Sequence, residues 1–237
     1  MPIYCETPAL VASFAVEPIN TWSNLFIIAV GLLAITIVAR RPGRPHGRSL
    51  WILAILLTIT GVGSFLWHGW REPGFLILDA VPGALFLFIA AYLWMRRFYS
   101  RTVALVGVIA FALLEALSAA YGADALSHQY AVVSMAPVLA LTSAWLIART
   151  YGESLRAAAL GGGALALALA AIYFRSIDLS VCETFAIGTH FIWHLLLSLS
   201  ALFTILSLIV IDYSRYFSAR SKIRMDVHHQ PPRRNSR

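Results

Sequence analysis

The sequence has few charged residues, little cysteine and a single lysine. Asp, Glu, Lys and Arg together make up 12% of the 237 residues, about half the fraction that is usual in soluble domains. Apolar residues make up 59%, and the mean hydropathy is +0.76, so a water-soluble globular enzyme is excluded. The two cysteines, Cys5 and Cys182, are too few for a disulfide framework or a cysteine zinc site. Because the lone lysine is Lys222, close to the C-terminus, a retinal Schiff base inside the membrane is excluded as well.

The apolar residues occur in seven continuous segments, each close to the ~20 residues that a helix needs to cross a bilayer. Glycine, proline and charged residues separate these segments. We therefore predict an all-α membrane protein, a bundle of seven transmembrane helices that forms one domain over residues 1–217. A basic cytoplasmic tail without regular structure is expected over residues 218–237. The predicted spans are 20–39, 50–68, 74–95, 102–121, 129–148, 156–174 and 184–211.

The distribution of basic residues predicts the orientation in the membrane. Sixteen of the 18 Lys and Arg residues lie in the first, third and fifth loops and the tail, and only Arg71 and Arg175 lie on the other side. Because cytoplasmic loops are enriched in Lys and Arg, the N-terminus is expected outside and the C-terminus in the cytoplasm. This pattern favours a multi-pass protein of a bacterial inner membrane, with an organelle membrane as the alternative. It also explains the net charge of +7 without a nucleic-acid partner, so the expected partners are the bilayer and a membrane lipid.

Three histidines in the apolar segments are the strongest functional candidates, because ionisable groups inside a bilayer are costly. His190 and His194 are four residues apart, so they share one face of a helix and can bind the same cation. His68 ends the second span, and the antiparallel topology places it at a similar depth toward the outer side. Three imidazoles would leave one position of a catalytic zinc ion free for water. The alternative is two interfacial histidines and a third at a helix end.

Two further polar residues accompany the histidines. Ser64 precedes His68 by four residues and therefore faces the same way, and Asp79 follows the turn at matching depth on the next helix. A carboxylate beside an activated water can act as a general base, and a hydroxyl can hydrogen-bond a developing oxyanion. The alternatives are a serine bonded to its own helix backbone and a carboxylate favoured by the helix dipole.

This set of residues resembles the alkaline ceramidases, within a superfamily of seven-span hydrolases that includes the adiponectin receptors and the Per1-type lipid-remodelling proteins. The resemblance implies that the three histidines bind zinc, that the aspartate activates or orients the water, and that the serine supports the transition state. The implied reaction is hydrolysis of the ceramide amide to a sphingoid base and a fatty acid. The resemblance covers nearly the whole chain and depends on Cys5-Glu6, residues 17–24 (Glu-Pro-Ile-Asn-Thr-Trp-Ser-Asn), Ser64, His68, Asp79, His190 and His194.

The resemblance also implies a calcium site ahead of the first helix, with Tyr4, Glu6 and Glu17 at ligand positions. Two other positions depart from the family pattern, since Ile3 stands where an acidic residue is expected and Pro8 where an asparagine is expected. Calcium normally takes six to eight oxygen ligands. The alternative is that Glu6 and Glu17 hold the outer segment in place by hydrogen bonds.

The remaining polar candidates lie on the outer side or in the fourth span. The resemblance implies a disulfide between Cys5 and Cys182, which an oxidising exterior permits; two free cysteines are the alternative. Asp178 and Glu183, on either side of Cys182, are expected to be solvated. Glu115 either lines a polar substrate pocket or is hydrogen-bonded within the bundle.

Three functions are consistent with these residues. The first is a zinc-dependent amidase that acts on ceramide or a close lipid amide. The second is a lipid-remodelling esterase of the same superfamily with the same metal core. The third is a non-enzymatic receptor with seven helices that senses a lipid ligand.

Overall fold

The structure is a computed structural model that describes residues 4–7, 14–40, 47–125 and 131–228. Over these residues it is all-helical, with no strand. It contains a short 3-10 helix at Asp178–Ser180 and seven α-helices. The α-helices are α1 (Pro18–Ala39), α2 (Gly47–Trp70), α3 (Pro73–Met95), α4 (Arg101–Ala125), α5 (Ala131–Tyr151), α6 (Leu155–Ile177) and α7 (His190–His228).

Each of the seven helices is long and apolar enough to cross a membrane, which confirms the predicted all-α bundle of seven transmembrane helices. Large apolar side chains on the outside support this arrangement, since Leu141 is 74% exposed and Leu117 is 67% exposed. A soluble protein would bury such side chains, whereas a bilayer solvates them. The orientation of the termini stays a prediction.

The helices pack in a ring in which each one contacts its neighbours in the chain and α7 closes the ring against α1. The contact between α3 and α4 is the least extensive of these neighbouring contacts. An apolar core at the end away from the histidines contains residues of all seven helices, most of them from α1, α2, α3 and α7. Its fully buried members include Leu53, Ile205, Leu208 and Ile211.

A buried ion pair sets the position of α3 relative to α7. Arg97, just after α3, donates a hydrogen bond of 2.6 Å to the Oδ2 atom of Asp212 on α7. Asp79 precedes Arg97 by 18 residues, and His194 precedes Asp212 by the same number. At the helical rise of 1.5 Å per residue, each separation is about 27 Å. The two candidate site residues therefore lie at similar distances from the same end of the bundle.

The last helix differs from the prediction at both ends. It begins at His190 instead of residue 184, because turns and the 3-10 helix occupy the preceding segment. It continues to His228, into the segment that was expected to be irregular from residue 218. Extending an existing helix avoids the cost of nucleating a new one. Residues 229–237 lie outside the described residues.

Candidate metal centre

The structure brings His68 of α2 together with His190 and His194 of α7. One nitrogen of each imidazole lies within 4.8 Å of the corresponding nitrogen of the others. The ring centroids are 4.6 to 5.1 Å apart. All three side chains are buried, with exposed fractions of 1% to 3%. The two histidines on α7 lie on one face because they are separated by about one helical turn, and the antiparallel α2 supplies the third.

The nitrogen atoms of this cluster fit a metal ion. Nδ1 of His190 and Nε2 of His194 are buried and have no hydrogen-bond partner among the described residues. Buried polar atoms without partners are rare in native proteins. Nδ1 of His68 is hydrogen-bonded to Glu17, so Nε2 is the nitrogen of this ring that can serve as a metal ligand. Neutral imidazole nitrogens are preferred ligands of zinc and related transition metals.

The start of α1 holds two of the three imidazoles in place. The Glu17 carboxylate is hydrogen-bonded to Nδ1 of His68, and the Ser23 hydroxyl lies 2.7 Å from Nδ1 of His194. Such partners orient metal-binding histidines and select their tautomer. The role of Ser23 was not predicted. The sequence did contain a pattern that pointed to such a role, since residues 17–24 carry several polar groups at the start of an otherwise apolar helix.

Removing the Ser23 hydroxyl should weaken metal binding. We expect the Ser23→Ala variant to bind a metal ion such as zinc about 10- to 100-fold more weakly, as for other changes to groups behind metal ligands, because His194 loses the partner on its other nitrogen. A competitive titration with a zinc chelator measures this change. Thr36→Ala is the matched control, since Thr36 is on the same helix and donates only to the carbonyl of Leu32. Equal zinc affinities in the two variants would contradict the assignment.

The predicted serine and aspartate lie beside the histidine cluster. Ser64 is 2% exposed on α2, one helical turn from His68. Its hydroxyl lies close enough to the carboxyl of Asp79 on α3 to interact with it. Asp79 is half-buried and is not one of the three clustered ligands. The arrangement therefore places a carboxyl and a hydroxyl together at one side of the cluster.

A glycine on α2 allows α3 to approach closely enough for this contact. A Cβ atom at Gly63 would lie 2.6 Å from the backbone nitrogen of Asp79 and closer still to the carbonyl group of Leu78. Both neighbours are backbone atoms, which cannot move aside as a flexible side chain can. At this position of α2, only a glycine therefore lets α3 pack this closely. Small residues at helix contacts are typical of membrane bundles. Gly63 therefore positions Asp79, and the sequence offered no pattern that singled it out.

Adding a methyl group at Gly63 should displace Asp79 without removing any candidate ligand. With the catalytic role that the resemblance implies for Asp79, we expect Gly63→Ala to lower turnover about 10- to 100-fold, because a displacement of ~1 Å at a catalytic group can have an effect of this size. The metal content should stay unchanged. Gly162→Ala on α6 is the matched control, since a Cβ there would meet nothing within 4 Å. If both variants keep full activity, Gly63 has no positioning role.

The part of the chain ahead of α1, described at residues 4–7 and 14–17 and called the outer segment after its predicted side of the membrane, covers the cluster. The ring of Tyr4 stacks on His190 at a centroid distance of 4.0 Å, and Arg175 lies over the Tyr4 ring at 4.7 Å. The Glu6 carboxylate accepts hydrogen bonds from the backbone nitrogens of Ile19 and Asn20, at 2.9 and 2.7 Å. It thus satisfies N–H groups at the start of α1. Burial raises the pKa of Glu6, and these two donors oppose that effect.

The three residues implied as calcium ligands all have internal hydrogen-bond partners. The carbonyl of Tyr4 accepts from the backbone nitrogen of Thr7 at 3.0 Å, and both oxygens of Glu6 are bonded to α1. The oxygens of Glu17 are bonded to Thr7 and His68. The two glutamates thus connect the outer segment to α1 and α2 by hydrogen bonds, and calcium binding at these residues stays a prediction. Two other positions of the calcium pattern, Ile3 and Pro8, lie outside the described residues.

A disulfide and a buried aspartate join the outer segment to the start of α7. Cys5 is bonded to Cys182, as the resemblance implies. The expectation that Asp178 is solvated is wrong, since this residue is fully buried. Its carboxylate accepts from the backbone nitrogens of Thr189 and His190, at 2.7 and 2.9 Å, and from that of Cys5 at 3.1 Å. Distant parts of the chain meet here, so local sequence could not reveal the contact. Glu183 is exposed, as expected.

Glu115 is buried on α4, and neither of its carboxyl oxygens has a hydrogen-bond partner among the described residues. The described residues therefore do not provide the hydrogen bonds within the bundle that were one of the two expectations for Glu115. The other expectation, that it lines a polar substrate pocket, stays a prediction. The carboxyl is available to another group inside the bundle.

Fold and site together define a class, the helical membrane proteins with a three-histidine candidate metal centre between their helices. The comparison with protein-family models identifies the family, because the model described as Ceramidase matches residues 3–231. The chain belongs to the ceramidase family. Among curated protein sequences, none matches the chain.

Proposed function

We propose that this protein is a zinc-dependent hydrolase that cleaves the amide bond of ceramide or a close lipid amide. The observation that carries the proposal is the buried cluster of His68, His190 and His194 next to Ser64 and Asp79. Membership of the ceramidase family supports the substrate class. A receptor that only binds a lipid would have no need for three clustered imidazoles, two of which have buried nitrogens without a partner among the described residues.

The three histidines would hold the zinc ion, which when bound polarises a carbonyl group and makes water more acidic. Asp79 accepts a proton from the attacking water and delivers it to the leaving nitrogen. The oxygen of the water bonds to the carbonyl carbon, and the carbon–nitrogen bond breaks to give a fatty acid and an amine. Ser64 donates a hydrogen bond to the carbonyl oxygen as negative charge develops there.

The rest of the bundle supports access for a lipid and exclusion of bulk water. A substrate with two long chains would pass sideways from the bilayer, and the sparse contact between α3 and α4 offers a route beside Asp79. The outer segment, tied down by the bond between Cys5 and Cys182, covers the cluster from the other direction. With the predicted orientation, the site lies toward the outer face of a bacterial inner membrane.

Metal analysis combined with chelation tests the proposal. Purified protein should contain about one zinc per chain, the stoichiometry of a site with three protein ligands. It should hydrolyse ceramide, and lose this activity with 1,10-phenanthroline. Added zinc should restore the activity and added calcium should not. A calcium-selective chelator is the control, and it should have no effect because the outer segment is held by internal hydrogen bonds. Ceramide hydrolysis by protein free of zinc would contradict the proposal.

The second candidate function, an esterase of the same superfamily, differs from the proposed amidase in the substrate that it hydrolyses. Ceramide and a diacyl glycerolipid of equal acyl length, presented in the same detergent micelles, should be hydrolysed at different rates. Family membership favours ceramide. Faster hydrolysis of the glycerolipid would replace the proposed amidase with an esterase that has the same metal centre.

A further inference from the structure

Among the described side chains of α4, Glu115 is the one charged residue on the buried face. The buried residues of this helix are spaced as one helical face, whereas the residues directly around Glu115, at 113, 114, 116 and 117, are exposed. Glu115 itself is 1% exposed. The side chain thus points into the bundle and away from the surrounding lipid. The buried face consists of Ala104, Phe111, Glu115 and Gly122.

A carboxyl in this position is costly unless something binds it. Ionisable side chains inside membrane segments usually pair with one another or with backbone groups. Both oxygens of Glu115 lack a hydrogen-bond partner among the described residues. The mechanism proposed above does not use this residue. The described part of the chain thus supplies no partner, which leaves the carboxyl open to a bound molecule.

Glu115 lies at nearly the same level of the bundle as Asp79. The two helices are antiparallel neighbours joined by the short connection 96–100. Asp79 precedes the end of α3 at Met95 by about 24 Å, and Glu115 follows the start of α4 at Arg101 by about 21 Å, at 1.5 Å per residue. A lipid that reaches Asp79 between these helices would meet Glu115 at a similar depth.

We propose that Glu115 is a specificity-determining residue that accepts a hydrogen bond from a hydroxyl of the long-chain base in the lipid amide. This inference rests on the proposed function. The hydroxyl groups of such a base are attached within a few bonds of the amide nitrogen. They therefore stay close to the reacting carbonyl group when the lipid is bound. A site with a buried acceptor discriminates strongly against analogues without the hydroxyl, because the acceptor is then left unpaired.

Two lipid amides and three variants test this role. The substrates are ceramide and N-palmitoyl-hexadecylamine, which has the same amide and no hydroxyl. We expect Glu115→Leu to lower kcat/KM for ceramide about 30-fold, the value of one hydrogen bond to a carboxyl, and to change hydrolysis of the other amide little. Glu115→Gln keeps an acceptor oxygen and should recover most of the loss. Phe111→Leu, on the same face, is the control and should affect both substrates alike.

The outcomes separate this inference from the proposed function. If the wild-type protein hydrolyses ceramide and Glu115→Leu slows both amides equally, the residue is structural and the inference is wrong. If the wild-type protein hydrolyses neither amide, the proposed function is wrong. In that case the affinities of wild type and Glu115→Leu for the two lipids, measured by quenching of tryptophan fluorescence, decide the inference. A preference for ceramide that disappears in the variant supports it, and equal preferences overturn it.

Discussion

Turnover of ceramide should be abolished in a His194→Ala variant. His194 is buried, its Nε2 atom has no partner among the described residues, and Ser23 holds its other nitrogen. Without this imidazole two nitrogen ligands would remain, fewer than the three protein ligands of catalytic zinc sites. We expect a loss of at least about 10³-fold in kcat/KM, because the chemistry supplied by the metal disappears with it. Parallel measurement of hydrolysis and bound zinc checks the prediction.

The control is Ser198→Ala, one helical turn further along α7. Ser198 is 1% exposed, like His194, and its hydroxyl donates to the carbonyl of Leu195. This variant should keep both zinc and activity. Size-exclusion chromatography in detergent shows whether each variant is folded. A His194→Ala protein that is folded, lacks zinc and still cleaves ceramide at the full rate would rule out the proposed mechanism.

The second large effect is expected for Asp79→Asn. The amide cannot accept the proton that the carboxylate takes from water, so kcat should fall by about 10² to 10⁴, the usual contribution of a general base. The zinc content should remain that of the wild type, since Asp79 is not one of the three clustered ligands. This combination of lost turnover and retained metal separates Asp79 from the histidines.

Glu72→Gln is the matched control for Asp79. Glu72 immediately precedes α3, is exposed, and makes no side-chain cap hydrogen bond. Removing its charge should leave turnover unchanged. An equal fall in both variants would mean that the effect comes from the charge of this region and not from a proton transfer at Asp79. Full activity in Asp79→Asn would require a different base.

Interactions within one helix were predictable, and those between distant segments were not. The spacing of His190 and His194, and of Ser64 and His68, follows from the helical period. The hydrogen bonds from Glu17 and Ser23 to the histidines join α1 to α2 and α7, and no local pattern encodes which helices meet. Asp178 shows the same limit, because its three donors come from the outer segment and the start of α7.

The sequence by itself determined that this protein is a bundle of seven helices long enough to span a membrane, because apolar length and helical period are local properties. It also identified the three histidines, the serine and the aspartate as candidate site residues. Only the tertiary structure decided which nitrogens face each other, that Gly63 lets α3 approach, and that Glu115 has no partner among the described residues. These features depend on distances between helices, which packing sets and residue order does not express.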